Sequence, residues 1–183
     1  MRLRRLEEEF GDGLDVGVRS FLLRPYPDPG RTLDQFRTYT QSWLRPAAQP
    51  DAPTFRVWTS DAGPPSHSVP PHLVAKAAAT LGPAAFRDVD ERLMRAYFAD
   101  SRDITDPATL RAIWREARLP DEAFARVADD ALLRETIAQH NQALEAGVTG
   151  VPAIRMEGRE GLVVGAQPIE TYRRWIEHAL SDA

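Results

Sequence analysis

Residues 147–180 read GVTGVPAIRMEGREGLVVGAQPIETYRRWIEHAL. Gly147 closes a helical stretch, and a loop holding the Val151-Pro152 bond leads into a strand at Ala153–Met156. Gly158 and Gly161 bracket a turn, LVV forms a second strand, and a helix closes the segment. The order loop, strand, turn, strand, helix sets the terms for everything upstream of it.

Working outward, residues 130–146 predict a helix carrying Leu133, Ile137, His140 and Leu144 at steps of four, three and four, with Gly147 as its terminal glycine. Before it lie more helices. Ser68 reads as an N-cap with Pro70 and Pro71 in the first turn of a helix reaching Leu81. Pro83 opens a second, with Phe86, Val89, Leu93, Met94 and Tyr97 on one face. Asp106-Pro107 starts a third through Ile113 and Trp114, and Pro120 starts a short fourth with Phe124 and Val127. Residues 46–68 read as an extended link. A short helix after Thr32 carries Leu33, Phe36 and Trp43. Further back, Leu14, Val16, Val18 and Leu22 alternate as in a strand, and Leu3, Leu6 and Phe10 share a helical face that stops at Gly11 and Gly13. The chain therefore reads as strand, helical block, strand hairpin and helix.

Composition narrows the chemistry. The chain has 183 residues, enough for one domain with a large insertion, and 43% of them are hydrophobic. Its formal net charge of −4 offers no basic stripe, which argues against a nucleic-acid partner. No run approaches the length of a membrane span, and MRLRRLEEEF is too charged for a signal peptide, so the expected location is the cytoplasm with no membrane partner. Cysteine is absent from the sequence. Disulfides, thiolate zinc sites and thiol nucleophiles are thereby removed together.

Four stretches carry a family resemblance: FLLRPYPDPGR at Phe21–Arg31, Ser68-Val69-Pro70-Pro71 before LVAKAA, AYFADSRDITDPATL at Ala96–Leu110, and EAGVTGVPAIRMEGREGLVVGAQPIETY at Glu145–Tyr172. Together they make the chain similar to the DsbA family of thioredoxin-fold proteins, in its FrnE-like branch. The resemblance implies an α/β thioredoxin-like fold across residues 1–183, an all-helical insertion at 69–146 and a strand-strand-helix unit at 147–183. It also implies a cis Val151-Pro152 bond, with Gly150, Val151 and Pro152 as the loop that pairs with the extended chain of a substrate. The family's first core strand and its Cys-x-x-Cys motif have no counterpart in the sequence. The expectation is that the native protein is longer and carries both upstream. The alternatives are a strand supplied by a partner or a second copy, or a sheet rebuilt with Thr54–Ser60. Thiol–disulfide oxidoreductase is the activity implied, with a peptide or thiol substrate, no cofactor, and homo-oligomer formation favoured by an open sheet edge. A glutathione-dependent isomerase or kappa-class transferase relative, and a non-catalytic peptide-binding or self-associating module, are the rival readings.

The remaining polar residues point to structure. His67 and His72 stand five apart around two prolines and so do not form an i, i+4 metal pair. His140 sits on an apolar helical face, and His178 is expected on the exposed side of the last helix. Glu7–Glu9 and Asp129-Asp130 read as solvated faces and a helix start.

Overall fold

A computed structural model describes residues 2–181, in which the helices are α1 (Arg2–Phe10), α2 (Leu33–Thr40), α3 (Leu44–Ala47), α4 (Val69–Ala79), α5 (Pro83–Phe98), α6 (Pro107–Glu116), α7 (Asp130–Glu145) and α8 (Ile169–Ser181). Two short strands, β1 (Ala153–Ile154) and β2 (Val163–Val164), pair antiparallel, and 3₁₀ turns cover Gly11–Gly13, Gln41–Trp43 and Asp121–Ala128. The chain divides into two units. One is built from the chain up to Phe21 and again from His140 onward, the other from Leu22–Gln139.

In the Leu22–Gln139 unit, helix starts follow local chemistry. Thr32 and Gln35 form a reciprocal capping box at α2, the Gln35 N–H donating to Thr32 Oγ1 (3.3 Å) and the Thr32 N–H to Gln35 Oε1 (3.1 Å). Asp106 caps α6 by accepting from the Thr109 N–H at 2.9 Å, and Pro107 occupies the first helical position, where no donor is missed. Ser68 does not cap α4. Its Oγ accepts instead from the Arg24 N–H at 3.0 Å, and the helix ends at Ala79, before Leu81.

Helices α4, α5 and α6 enclose a core of Val74, Val89, Leu93, Ile113 and Trp114, with Ala77, Ala78 and Ala96 small enough to let the backbones approach. Met94, placed by sequence on the inner face of α5, is exposed. A larger correction concerns α7. Ile137 and Leu144 are exposed, and the buried positions are Thr136 and Gln139. Both polar groups are satisfied. Thr136 Oγ1 donates to the Leu132 carbonyl, and Gln139 bonds both Glu135 and Lys76 Nζ, the latter at 3.0 Å. Lys76 also meets Glu135 at 2.6 Å, so the chain's sole lysine ties α4 to α7 through polar contacts that an apolar pattern does not register.

A second cluster gathers Phe36, Trp43 and Trp58 against Tyr97 and Phe98. The link 46–68 is fixed to it, because the Trp58 N–H donates to Thr40 Oγ1 (3.0 Å) and the Arg56 N–H to the Phe98 carbonyl (2.8 Å). Thr54–Ser60 forms no strand. Thr40 is fully buried, its hydroxyl also donating to the Arg37 carbonyl at 2.8 Å. Thr40→Val keeps the shape but orphans the Trp58 N–H, so urea unfolding should show a loss of about 1–3 kcal/mol. Thr40→Ser, which keeps the hydroxyl, should lose clearly less; equal losses would mean that packing alone matters there.

In the other unit, α1 and α8 face each other across Leu6, Ile169, Tyr172 and Ile176, with Leu14, Ile154 and Val163 packed on the same cluster. Helix α1 stops where Gly11 takes a left-handed φ of +51°. Residues 14–22, expected as a strand, carry no strand. Their alternation survives only in part: Leu22 is buried and Leu14 is half-buried, but Val18 is 61% exposed. A pattern of side chains makes a strand only when another backbone completes the ladder. The sheet of the described residues consists of β1 and β2 alone.

Across α1 and α8, Arg173 grips Glu9 with two hydrogen bonds, at 2.6 and 2.8 Å, and also bonds Glu170. The Arg173 hydrogen bond holds the Glu9 carboxyl below its ordinary value of 4.5. Hydrogen bonds from Thr109 and Ala108 likewise lower Asp106. A depressed folded-state pKa contributes stability that is fully present above the unfolded value and is lost as pH falls through the folded one. Stability should therefore fall on the acid side of pH 4.5, and Glu9→Gln should flatten that slope. Chemical unfolding at a series of pH values checks it, and an unchanged slope in the variant would remove Glu9 from the account.

Candidate functional site

Helix α7 ends in a Schellman motif: the Val148 N–H donates to the Ala143 carbonyl and the Gly147 N–H to the Leu144 carbonyl, both at 2.9 Å, with Gly147 at φ +82°. Val148 is buried and anchors the near end of the loop. The chain then passes through Thr149 and Gly150 to Val151 and Pro152, which are both exposed. The Val151-Pro152 peptide bond is cis.

The far end is held as firmly. The Pro152 carbonyl accepts from the Gly165 N–H at 2.8 Å. From α8, the Tyr172 hydroxyl accepts from the Gln167 N–H (2.9 Å) and donates to the Gly165 carbonyl (3.3 Å), and Arg2 donates to the Gln167 carbonyl (2.9 Å). The loop thus has fixed ends and an exposed middle.

Register decides what that middle offers. Ala153 pairs with Val164 and Ile154 with Val163, and Pro152 is bonded to Gly165. Backbone groups of alternate residues in a strand point to the same edge. Pro152 and Ile154 therefore turn their groups toward β2, and Ala153 turns its own to the opposite edge, which has no strand among the described residues; Val151 stands in the bend just before the strand. Proline's missing N–H falls on the β2 side and costs the open edge nothing. Residues 147–154, GVTGVPAI, include no ionisable side chain and no thiol. What they present is main-chain hydrogen bonding beside Val151, whose side chain is 48% exposed.

The other sequence candidates lie elsewhere. His140 is half-buried with its ring against Phe21, centroids 5.1 Å apart at 66°. His67 Nδ1 lies 2.8 Å from Ser66 Oγ, and His178 is exposed on α8. In the Leu22–Gln139 unit, a cleft of about 480 Å³ is bordered by Thr59, Ser101, Arg102 and three aspartates. Each aspartate is already engaged: Asp100 with Arg95, Asp103 with Thr105, and Asp106 as the α6 cap. Sequence reasoning placed Gly150, Val151 and Pro152 together. It missed Ala153, whose place on the open edge follows from ladder register, and Tyr172, whose hydroxyl pins the neighbouring turn.

The DSBA-like thioredoxin domain family matches residues 58–177, well over half of the chain. The chain belongs to that family. Solved structures agree with this on the DSBA-like fold: a candidate protein disulfide isomerase from Nitrosomonas europaea superposes with a TM-score of 0.79 at 16% identity, covering 99% of this chain and 89% of that one. Cytosolic disulfide reductase DsbM from Pseudomonas aeruginosa gives 0.74 at 21% identity, covering 100% and 91%. No curated protein matches the chain. The DSBA-like domain described here is thus a mostly helical member with a two-stranded sheet. It resembles disulfide oxidoreductases while holding no cysteine, and none of its described helices is long and apolar enough to cross a membrane.

Proposed function

We propose that this chain is the polypeptide-docking body of a cytoplasmic thiol–disulfide exchange protein, in which Gly150, Val151 and Pro152 hold an extended substrate chain by strand addition. One observation carries the reading. Val151 and Pro152 are exposed in a loop clamped at both ends, and they lead into Ala153 on a sheet edge that has no strand among the described residues. Exchange itself requires an attacking thiolate, which these 183 residues do not supply. The location rests on the likeness to a reductase described as cytosolic.

A test combines binding with turnover. The purified chain should bind an extended, unstructured polypeptide such as reduced, alkylated insulin B chain, while leaving the rate of insulin reduction by dithiothreitol unchanged. Catalysed reduction would place the chemistry in side chains other than thiols, and absence of binding would remove the docking role.

A further inference from the structure

Among the described residues of the Leu22–Gln139 unit, half-buried arginines hold carboxylates: Arg24 meets Asp28 at 3.0 Å, Arg37 meets Asp61 at 2.6 Å, Arg92 meets Asp88 at 2.8 Å and Arg102 meets Glu116 at 3.0 Å. Arg31 is the exception. It is half-buried too, yet no carboxylate of the described residues pairs with it. Its guanidinium donates to the Pro65 carbonyl at 3.2 Å and lies 4.2 Å from the centre of the Phe36 ring. A carbonyl and a ring face offset only part of the hydration that a buried cation gives up. Two phenols stand at the same ring. Tyr97 lies 6.1 Å from Phe36 and beside Arg31, and burial raises its hydroxyl above the ordinary 10.0, so it remains an O–H donor at neutral pH. Tyr39 is 55% exposed and stacks on Phe36 with centroids 6.2 Å apart at 20°. We propose that Arg31, Tyr97 and Tyr39 form a binding site for a carboxylate carried on a flat apolar body, such as an aryl acid.

The donor set selects the ligand. A guanidinium offers its N–H groups as a planar fork, and with one of them on Pro65 the others can take both oxygens of a carboxylate. One uncompensated positive charge calls for a monoanion. A phosphate dianion would leave surplus negative charge next to Asp28, whose backbone carbonyl accepts from the Arg31 N–H at 3.2 Å. The cation rests on a rigid floor, because Phe36 is buried against Trp43 and Trp58. The exposed Tyr39 ring then supplies an apolar contact for the body that carries the carboxylate. Such a carboxylate can belong to a small acid or to a glutamate beside an aromatic residue in a polypeptide. The site uses no residue of the Gly150–Pro152 loop and does not rest on the docking reading.

The probes are benzoate, neutral benzamide, inorganic phosphate and the peptide acetyl-Phe-Glu-amide, titrated by ligand-observed NMR, with the Arg31 Nε–H resonance locating the site. Benzoate should bind with a Kd on the order of 1 mM and shift that resonance saturably, and benzamide should do neither. Arg31→Gln removes the charge and the fork and should weaken benzoate at least tenfold. Tyr97→Phe keeps the ring and loses the donor, and should weaken it roughly fivefold. Peptide binding tighter than benzoate would assign the site to a polypeptide carboxylate, and weaker binding to a small acid; both support the proposal. Equal binding of benzamide, tighter binding of phosphate, or an unmoved Arg31 resonance would overturn it. So would unchanged benzoate affinity in Arg31→Gln or, should that variant fail to fold, in Tyr97→Phe.

Discussion

Trp114→Ala should lower stability by about 3–5 kcal/mol, the range for removing a large aromatic side chain from a packed core. Trp114 is wholly buried between α4, α5 and α6, stands edge-on to Phe124 at 5.4 Å, and donates from Nε1 to the Pro120 carbonyl at 3.0 Å. The substitution therefore leaves a cavity and an orphaned acceptor at the point where α6 turns into the 3₁₀ segment. Against a total of about 5–15 kcal/mol for a domain, that loss is a large fraction of the stability. Trp114→Phe should lose less, because most of the ring volume remains. Urea unfolding followed by tryptophan fluorescence checks both, and a loss under about 1 kcal/mol for the alanine variant would show that this core is not packed as described.

The second large effect is expected at the loop. Val151→Pro removes the Val151 N–H and leaves the Pro152 to Gly165 bond in place. If strand addition holds the peptide, the loss of one main-chain hydrogen bond and the clash of a ring at the edge should weaken binding at least tenfold, corresponding to about 1.4 kcal/mol. Val151→Ala retains the backbone groups and should lose only the apolar contact of the side chain. Titration calorimetry with the same alkylated B chain separates the two. Equal affinity in wild type and the proline variant would mean that side chains, and not the main chain, hold the peptide.

Sequence was informative wherever a local rule decided the structure. Thr32, Asp106 with Pro107, and Gly147 each mark a helix end through bonds made within a few residues, and the structure has those ends. Ser68 failed as a cap because its hydroxyl is taken by Arg24, a residue 44 positions away. The same holds for α7. Its apolar stripe named Ile137 and Leu144 as core, yet Thr136 and Gln139 are buried, since Lys76 and Glu135 supply the partners that make a buried amide affordable. Alternation at Leu14, Val16, Val18 and Leu22 gave the right kind of signal for a strand, but a ladder needs a second backbone. Of the candidate site, Gly150, Val151 and Pro152 were legible through family resemblance. The direction in which Ala153 aims its backbone groups was not, because it depends on the pairing of 152–154 with 163–165.

That direction is open to direct measurement by site-resolved amide hydrogen exchange on the chain alone. The Val151 and Ala153 amides should exchange within about tenfold of unstructured rates, while the Gly165 amide, bonded to the Pro152 carbonyl, is slowed by at least another order of magnitude. Protection of Val151 and Ala153 equal to that of Gly165 would show that the edge is already filled, and would contradict the account.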